Sequence, residues 1–284
     1  MKPFIGVDVT DDPESLVFNG EEFIVAKPTQ ALQSALETAT GESTELLEKS
    51  QLPLLLRIAE CGFGIAGLLL VSGLLRAWDD TISLAQLYAN APWLFWLCGS
   101  FLLSWLVLFL WSSHKTKTVL TSEESAMTMS KWDQTANSIY TELGVPSDAA
   151  QVDLLSLTYT VKDGKTVEKK SLLTSPYENF EYRAFADEKY VYLVDLDGKY
   201  RFDRAEMTEI ETVNKRIQVS SWNKDEKPNK GIYKPYKLYV DDEDNVHMKT
   251  YYILHLNHGG EEWGIYFPCY ELPTFEALTG LTAQ

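Results

Sequence analysis

Two stretches of this 284-residue chain are almost purely apolar and are long enough to cross a lipid bilayer. The first runs from Leu54 to Leu75, and the second, from Pro92 to Trp111, contains no charged residue. A helix needs about 20 apolar residues to span the hydrocarbon core. Core helices of soluble proteins are usually shorter and keep a polar stripe. The two stretches therefore predict a transmembrane helical hairpin over residues 54–113.

Basic residues flank the outer ends of this predicted hairpin. Lys49 precedes the first span and Lys115 and Lys117 follow the second, whereas the connecting loop holds Arg76 alone. Lys and Arg concentrate on the cytoplasmic side of membrane proteins. The first 50 residues contain no long apolar run of the kind found in cleavable signal peptides. We therefore expect a multi-pass protein of the cell (cytoplasmic) membrane with both termini in the cytoplasm.

Two charged residues lie near the beginning of the first span. Arg57 and Glu60 are three residues apart, so the spacing predicts that they pair along one face of the helix. Arg57 can also extend toward the lipid headgroups, and the sequence leaves open whether the two residues have a function inside the membrane.

Small residues within the spans predict close helix–helix contact. Gly62 and Ala66 are four residues apart in the first span, and Ser100 and Ser104 in the second. Residues 62–67 also fit the pattern GxGxxG, but a dinucleotide site needs that pattern directly after a strand. The same small faces leave self-association through the spans as a further option.

The acidic residues are concentrated in the parts outside the predicted membrane. The chain carries a net charge of −16, and residues 1–53 hold ten acidic residues against three basic ones. Residues 119–284 hold 28 acidic and 18 basic residues. Nucleic-acid binding needs a basic surface for the phosphates, so we expect no nucleic-acid partner.

Residues 1–53 are interpreted as a small acidic cytosolic segment and linker. Phe4–Val9 and Glu22–Ala26 are strand-like, Thr29–Thr38 is helical, and residues 39–51 have a linker composition. About 50 residues rarely form an independent core. We expect this segment either to pack on the larger domain or to stay partly disordered.

Residues 119–284 are expected to form a cytosolic β domain that begins with a helix. Thr121–Glu124 fits a capping box, and an apolar stripe from Met129 to Leu143 predicts a helix over 122–143. From Val152 to Phe267 the pattern has a period of two with short turns, which predicts seven or eight antiparallel strands. Pro273 then opens a short amphipathic helix that could cap an antiparallel barrel.

This order of elements resembles the bacterial YcxB-like membrane proteins, in which two transmembrane helices precede a pleckstrin-homology-like (PH-like) domain. The resemblance covers roughly residues 54–284 and lies in layout. Three segments, Val213–Arg216, Ser221–Glu226 and Trp263–Pro273, are also similar to uncharacterised integral membrane proteins of Gram-positive bacteria. The resemblance implies an α+β membrane protein with a cytosolic PH-like barrel capped by a C-terminal helix. It supplies no catalytic residues.

Motifs for metals and catalysis are weak in this sequence. His255 and His258 are spaced like zinc ligands, but the first is predicted in a strand and the second in a turn. The acidic run Asp241–Asp244 lacks the alternation of a calcium loop. No nucleophile elbow or phosphate-binding loop is present. We therefore predict a protein that is not an enzyme and has no metal site, catalytic residue or cofactor.

One segment is basic within the acidic domain. Residues 222–237 hold five lysines against two acidic residues, with Pro, Gly and aromatic residues interspersed, which predicts a long loop. The alternative to a binding segment is a solvated loop without a ligand. The candidate binding residues are Trp222, Lys224, Lys227, Lys230, Tyr233, Lys234 and Lys237.

The sequence therefore predicts an integral membrane protein that presents a PH-like binding module to a protein partner or a lipid headgroup. Two alternatives remain open. One is an oligomeric transport or sensing subunit assembled through the spans. The other is an enzyme with an unrecognised site, which a cluster of groups with perturbed pKa values would favour.

Overall fold

A computed structural model describes residues 1–8, 17–18, 20–79, 83–162, 165–168, 177–219, 222, 238–241 and 245–284. The chain divides into two compact units. Unit 1 combines residues 1–33 with residues 136–284, and unit 2 comprises residues 34–135. The predicted division into three segments, 1–53, 54–113 and 119–284, is not tested by this division and stays a prediction.

The structure is a mixture of helices and β-sheets. The α-helices are α1 (Gln30–Ser50), α2 (Leu54–Asp79), α3 (Leu84–Asn90), α4 (Pro92–Leu120), α5 (Glu123–Glu142) and α6 (Leu272–Thr279). The strands are β1 (Lys2–Pro3), β2 (Ile5–Asp8), β3 (Val17–Phe18), β4 (Ile24–Ala26), β5 (Ala150–Lys162), β6 (Lys165–Glu168), β7 (Tyr177–Ala186), β8 (Tyr190–Val194), β9 (Lys199–Asp203), β10 (Met207–Val213), β11 (Ile217–Val219), β12 (Tyr239–Val240), β13 (Val246–Met248), β14 (Tyr251–His258) and β15 (Glu261–Pro268).

The strands of unit 1 form three sheets. The largest has the order β3-β2-β5-β7-β8-β9-β4, with β6 paired to β5, and the second has the order β1-β15-β14-β10. The third contains β11-β13-β12. Most pairs are antiparallel, as predicted, because the strands follow one another through short turns.

The amino-terminal segment takes part in two of these sheets. β1 runs parallel to β15, and β2 runs parallel to β5. Between them Phe4 is buried, and its backbone N–H donates to the Gly264 carbonyl oxygen at 2.9 Å. The expectation that this segment packs on the larger domain is therefore confirmed for its described strands.

The sheets of unit 1 enclose an aromatic core. Phe4 contacts the rings of Tyr200 and Phe202 edge-on, with centroids 5.5 and 5.3 Å apart. Phe23 lies 5.1 Å from Trp263, which is fully buried. Buried aromatic side chains contribute large apolar areas, so the amino-terminal segment is part of the core that stabilises the fold.

The predicted barrel is not closed within the described residues. The strand pairs leave three open sheets there, and the sequence-based prediction did not include β1 and β2 as parallel strands. Residues 2–8 supply β1 to the sheet that contains β15 and β2 to the sheet that contains β5. This segment therefore joins the two sheets without closing a barrel. The terminal helix is confirmed as α6, where Phe275 stacks on Phe267 at 4.0 Å.

Unit 2 contains the apolar helices α2 and α4. Both predicted spans are helical, and α1 continues to Ser50, so residues 39–50 form a helix where the sequence predicted a linker. Within unit 2, Glu42 of α1 pairs with Lys131 of α5, and Lys49 pairs with Glu124. Such exposed ion pairs contribute little stability individually, but the two contacts show that α1 and α5 run antiparallel there.

Candidate functional site

Most of the predicted binding segment lies outside the described residues. Lys224, Lys227, Lys230, Tyr233, Lys234 and Lys237 all fall in 223–237, so the structure does not place them. Trp222 is described and half-buried, and it packs edge-on against Tyr270 with centroids 5.1 Å apart. The beginning of the segment is therefore fixed on the β domain by an aromatic contact.

Tyr270 connects this contact to a buried acidic group. Its hydroxyl donates to Asp153 Oδ2 at 2.6 Å, and Asp153 is fully buried in β5. Glu271 is buried beside it and accepts the Asp153 backbone N–H at 3.0 Å. Among the described residues, Asp153 Oδ1 has no hydrogen-bond partner. No sequence pattern indicates this cluster, since Asp153 and Tyr270 are more than 100 residues apart and carry no motif.

The neighbouring thiol is inert by its environment. Burial raises the pKa of the Cys269 thiol to about 12, and the charge of Glu271 acts in the same direction. A thiol rather than a thiolate therefore predominates at neutral pH, and the thiolate is the reactive form. Cys269 is a core residue rather than a candidate nucleophile.

A second cluster surrounds Asp195 in the turn after β8. Asp195 Oδ1 accepts the backbone N–H groups of Asp197 and Gly198 at 2.9 and 2.8 Å. Tyr200 Oη donates to Asp195 Oδ2 at 3.2 Å. Burial raises the pKa of Asp195, and burial followed by the charge of Asp195 raises the pKa values of Tyr182 and Tyr200.

Perturbed groups of this kind would favour an enzyme if they faced a substrate. In the Asp195 cluster, however, the hydrogen bonds are used within the hairpin that joins β8 to β9. The two backbone N–H groups are donors that the turn would otherwise leave without partners. We interpret the Asp195 cluster as support for the turn and assign no catalytic residue to it.

The outer face of β7–β9 receives the end of α5. Lys199 Nζ lies 4.6 Å from the Tyr192 ring centroid and donates to the Leu143 carbonyl oxygen at 3.2 Å. A cation at a helix C-terminus donates a hydrogen bond to a free carbonyl oxygen and interacts favourably with the negative end of the helix dipole. Glu142 in the same turn accepts the Thr29 backbone N–H at 2.7 Å. The last turn of α5 and the residue before α1 are therefore held together.

The predicted strand position of His255 is confirmed, while His258 is the last residue of its strand. His255 Nε2 lies 2.9 Å from Glu211 Oε2, and its Nδ1 lies 3.2 Å from Glu262 Oε1. His258 Nδ1 lies 2.8 Å from Glu206 Oε2. The described residues contain no group of three or more His, Cys, Asp or Glu side chains that could hold a metal ion. The two histidines instead connect neighbouring segments of unit 1.

The contact between α2 and α4 uses Gly64 and Gly67, whereas the predicted Gly62 takes no part in it. A Cβ atom at Gly67 would lie 2.6 Å from Leu102 Cδ2, and one at Gly64 would lie 3.0 Å from the Trp105 ring. By contrast, a Cβ atom at Gly62 would meet no described atom within 4 Å. Gly64 and Gly67 are therefore the residues that allow close approach of the two helices.

The charged residues at the beginning of α2 also differ from the prediction. Arg57 does not pair with Glu60 among the described ion pairs. Its Nη1 instead donates to Gln51 Oε1 at 2.6 Å. Lys115, near the end of α4, donates to the Gln51 backbone oxygen at 2.6 Å. Arg57 thus reaches back toward the polar end of the helix, in the direction expected of a cation that avoids hydrocarbon.

No protein-family model, curated protein or solved structure matches this chain. The resemblance to YcxB-like proteins therefore stays a prediction.

Proposed function

We propose that this chain is a membrane protein whose α2–α4 hairpin spans the cell membrane. The apolar parts of the two helices comprise 23 and 29 residues, and only 6% of each apolar window is buried. That exposure carries the proposal, because a core helix of a soluble protein would bury these side chains. At about 1.5 Å per residue both helices exceed the roughly 30 Å of hydrocarbon that they must cross.

The tryptophans of α4 support the same assignment. Trp93 and Trp111 are 62% and 50% exposed and lie at opposite ends of the apolar stretch. Their positions are 18 residues apart in the helix, which corresponds to a rise of about 27 Å. This separation suits two aromatic belts at the two membrane interfaces.

We further propose that unit 1 is a non-enzymatic, cytosolic binding module for a protein partner or a lipid headgroup. The succession of antiparallel strands and a final helix supports the resemblance to PH-like domains, whereas the open sheets do not. The basic segment 222–237 supports binding of an anionic group, since it begins at the Trp222–Tyr270 contact on an otherwise acidic domain.

Membrane extraction tests the first part of the proposal. After expression, membranes are washed with alkaline carbonate, which removes peripheral proteins and leaves spanning ones. We expect the full chain to stay in the pellet. The control is a chain in which a Gly/Ser linker of about eight residues joins Gln33 to Ala136. This chain, called the linked unit 1, should be recovered in the supernatant. Release of the full chain by carbonate would contradict the proposal.

Vesicle co-sedimentation of the linked unit 1 tests the binding segment. Replacing Lys227, Lys230 and Lys234 by Ala should weaken binding to anionic vesicles roughly 10- to 100-fold, because each lysine near such a surface contributes about 1 kcal/mol. The control replaces three exposed lysines elsewhere, Lys27, Lys189 and Lys249, and so removes the same charge. An equal loss in both variants would mean that net charge matters and that segment 222–237 is not a site.

A further inference from the structure

Two cationic side chains bind the same residue at one end of the α2–α4 hairpin. Arg57 and Lys115 bind the two different oxygen atoms of Gln51, each at 2.6 Å. α2 and α4 are antiparallel, since Gly64 faces Trp105 and Gly67 faces Leu102. The beginning of α2 and the end of α4 therefore lie at the same end of the hairpin, and both positive charges are held by hydrogen bonds to one residue.

Neither cation has a carboxylate partner among the described ion pairs. Two other lysines of unit 2 do have one, since Lys49 contacts Glu45 and Glu124, and Lys131 contacts Glu42. The contrast is informative because the chain has 41 acidic and 25 basic residues. Within the described part of the chain, Arg57 and Lys115 are bound by neutral carbonyl oxygens only, so no carboxylate there compensates either positive charge.

We propose that Arg57 and Lys115 bind the phosphate group of an anionic phospholipid. A guanidinium presents a planar set of donors that matches phosphate oxygens, and an ammonium adds a second charge. Basic pockets at the cytoplasmic ends of transmembrane helices are suited to anionic headgroups. Because Gln51 already positions both side chains, lipid binding costs little additional side-chain conformational entropy.

Lys115 also has a structural role that the test must separate from lipid binding. Its ammonium and the Thr116 hydroxyl donate to the carbonyl oxygens of Gln51 and Ser50, at the end of α1. Such contacts satisfy helix C-terminal carbonyls without any ligand. A variant at Lys115 could therefore lose stability for this reason alone, whereas the one partner of Arg57 among the described residues is the Gln51 side chain.

The experiment measures which lipids the full chain retains. The protein is purified in mild detergent and mixed with equal amounts of phosphatidylglycerol and phosphatidylcholine, and retained lipid is counted by native mass spectrometry. Arg57→Gln and Lys115→Gln remove one charge each, and Arg57→Lys and Lys115→Arg keep it. Arg76→Gln is the matched control, because it removes a cation from the opposite end of α2. Inorganic phosphate is added in a parallel series to compete.

We expect the unmodified chain to prefer phosphatidylglycerol. Each Gln substitution should lower that preference about fivefold, while Arg76→Gln and the two charge-preserving variants should leave it nearly unchanged. Millimolar inorganic phosphate should not displace the lipid. Equal retention of both lipids, an equal effect of Arg76→Gln, or displacement by inorganic phosphate would each overturn the lipid site.

This inference rests on the proposed membrane insertion, and the two can fail separately. A chain that resists carbonate extraction but shows no lipid preference would overturn the lipid site alone. A chain that carbonate releases would overturn both.

Discussion

Two aspartates in consecutive turns show how burial changes the behaviour of one local motif. Asp187 precedes β8 and accepts the N–H groups of Lys189 and Tyr190 at 2.8 and 2.7 Å. Asp195 follows β8 and accepts two backbone N–H groups in the same way. The hydrogen bonds lower the pKa of Asp187, whereas burial outweighs them and raises the pKa of Asp195.

The two carboxyls should therefore affect stability with opposite dependence on pH. Folded Asp195 keeps its proton above the unfolded pKa of 3.8, so its effect is to lower stability as pH rises from about 4 through the raised pKa. Asp195→Asn keeps the acceptor oxygen and should remove this decline. Each unit of pKa difference corresponds to about 1.4 kcal/mol. Urea unfolding of the linked unit 1 between pH 3 and 8 measures the change.

Asp187→Asn is the opposite case and serves as the comparison. Its lowered pKa gives stability that is present above pH 4 and is lost as pH falls through the folded value. The variant should therefore lose stability at neutral pH and become less sensitive to acid. Parallel pH profiles for Asp195→Asn and the parent chain would show that the Asp195 carboxyl is not desolvated.

At the scale of helices, the hairpin contact depends on which face of α2 meets α4. The spacing of Gly62 and Ala66 predicts that Gly62 faces α4. The structure instead places Gly64 and Gly67 against that helix, and a Cβ atom at Gly62 would meet no described atom within 4 Å. A helix rich in small residues offers several small faces, and the residues that the partner helix presents decide which one is used. Here Trp105 and Leu102 fill the positions opposite the two glycines.

Replacing Gly67 by Val should weaken this helix pair. The new Cβ atom would lie 2.6 Å from Leu102 Cδ2, so Leu102 or the helix must shift. Overpacking of this kind costs about 1–3 kcal/mol. Gly62→Val is the matched control, since it puts the same residue in the same helix where no described atom lies within 4 Å. Unfolding of the detergent-solubilised full chain in SDS measures both, and equal effects would contradict the contact.

Turns show how far the sequence could predict local structure. The Asn and Gly residues of Asn257–Gly260 favour a turn between two strands, and Gly259 and Gly260 have the positive φ angles, 61° and 86°, of a tight hairpin. Asp197–Gly198 carries the Asp-Gly pattern of such a hairpin as well, but Gly198 has no positive φ, because the Asp195 carboxylate organises a longer loop. A side-chain acceptor replaced the glycine conformation that the sequence pattern suggested.

Strands and helices with a strong periodicity were predictable, while the way in which the sheets are joined was not. The α5 helix ends at Glu142, followed by Gly144 with φ of 69°, close to the predicted bounds. The parallel pairing of β1 and β2 is non-local, since it joins residues 2–8 to strands more than 140 residues away. A two- or four-residue strand carries too little pattern to indicate its partner.

At the scale of the whole molecule, unit 1 is built from two separate parts of the chain. Phe4 and Phe23 belong to the same core as Phe202 and Trp263. A chain that begins at Ala136 would lack both aromatic side chains as well as the strands β1 to β4. We therefore expect residues 136–284 to aggregate when expressed alone, whereas the linked unit 1 should be soluble and should unfold cooperatively.

A substitution in the aromatic core tests the same role of the amino-terminal segment in a chain that keeps both parts of unit 1. Phe4→Ala in the linked unit 1 should lower the free energy of unfolding by about 3–5 kcal/mol, because Phe4 is 1% exposed. Circular dichroism during thermal unfolding measures the loss. A cooperative, stable chain of residues 136–284 would contradict the role of the amino-terminal segment.

The central claim is that the α2–α4 hairpin crosses the cell membrane and leaves both soluble parts in the cytoplasm. Single cysteines at Ala89, Glu37 and Thr282 test it, in a chain in which Cys61 and Cys98 are replaced by Ser and the buried Cys269 is kept. Ala89 lies in α3, between the two spans, and its side chain is exposed. A membrane-impermeant maleimide is applied to intact cells and, in parallel, to lysed cells. The proposal predicts that Ala89→Cys is labelled in intact cells and that Glu37→Cys and Thr282→Cys are labelled only after lysis. Labelling of all three only after lysis, or labelling of Thr282→Cys in intact cells, would contradict it.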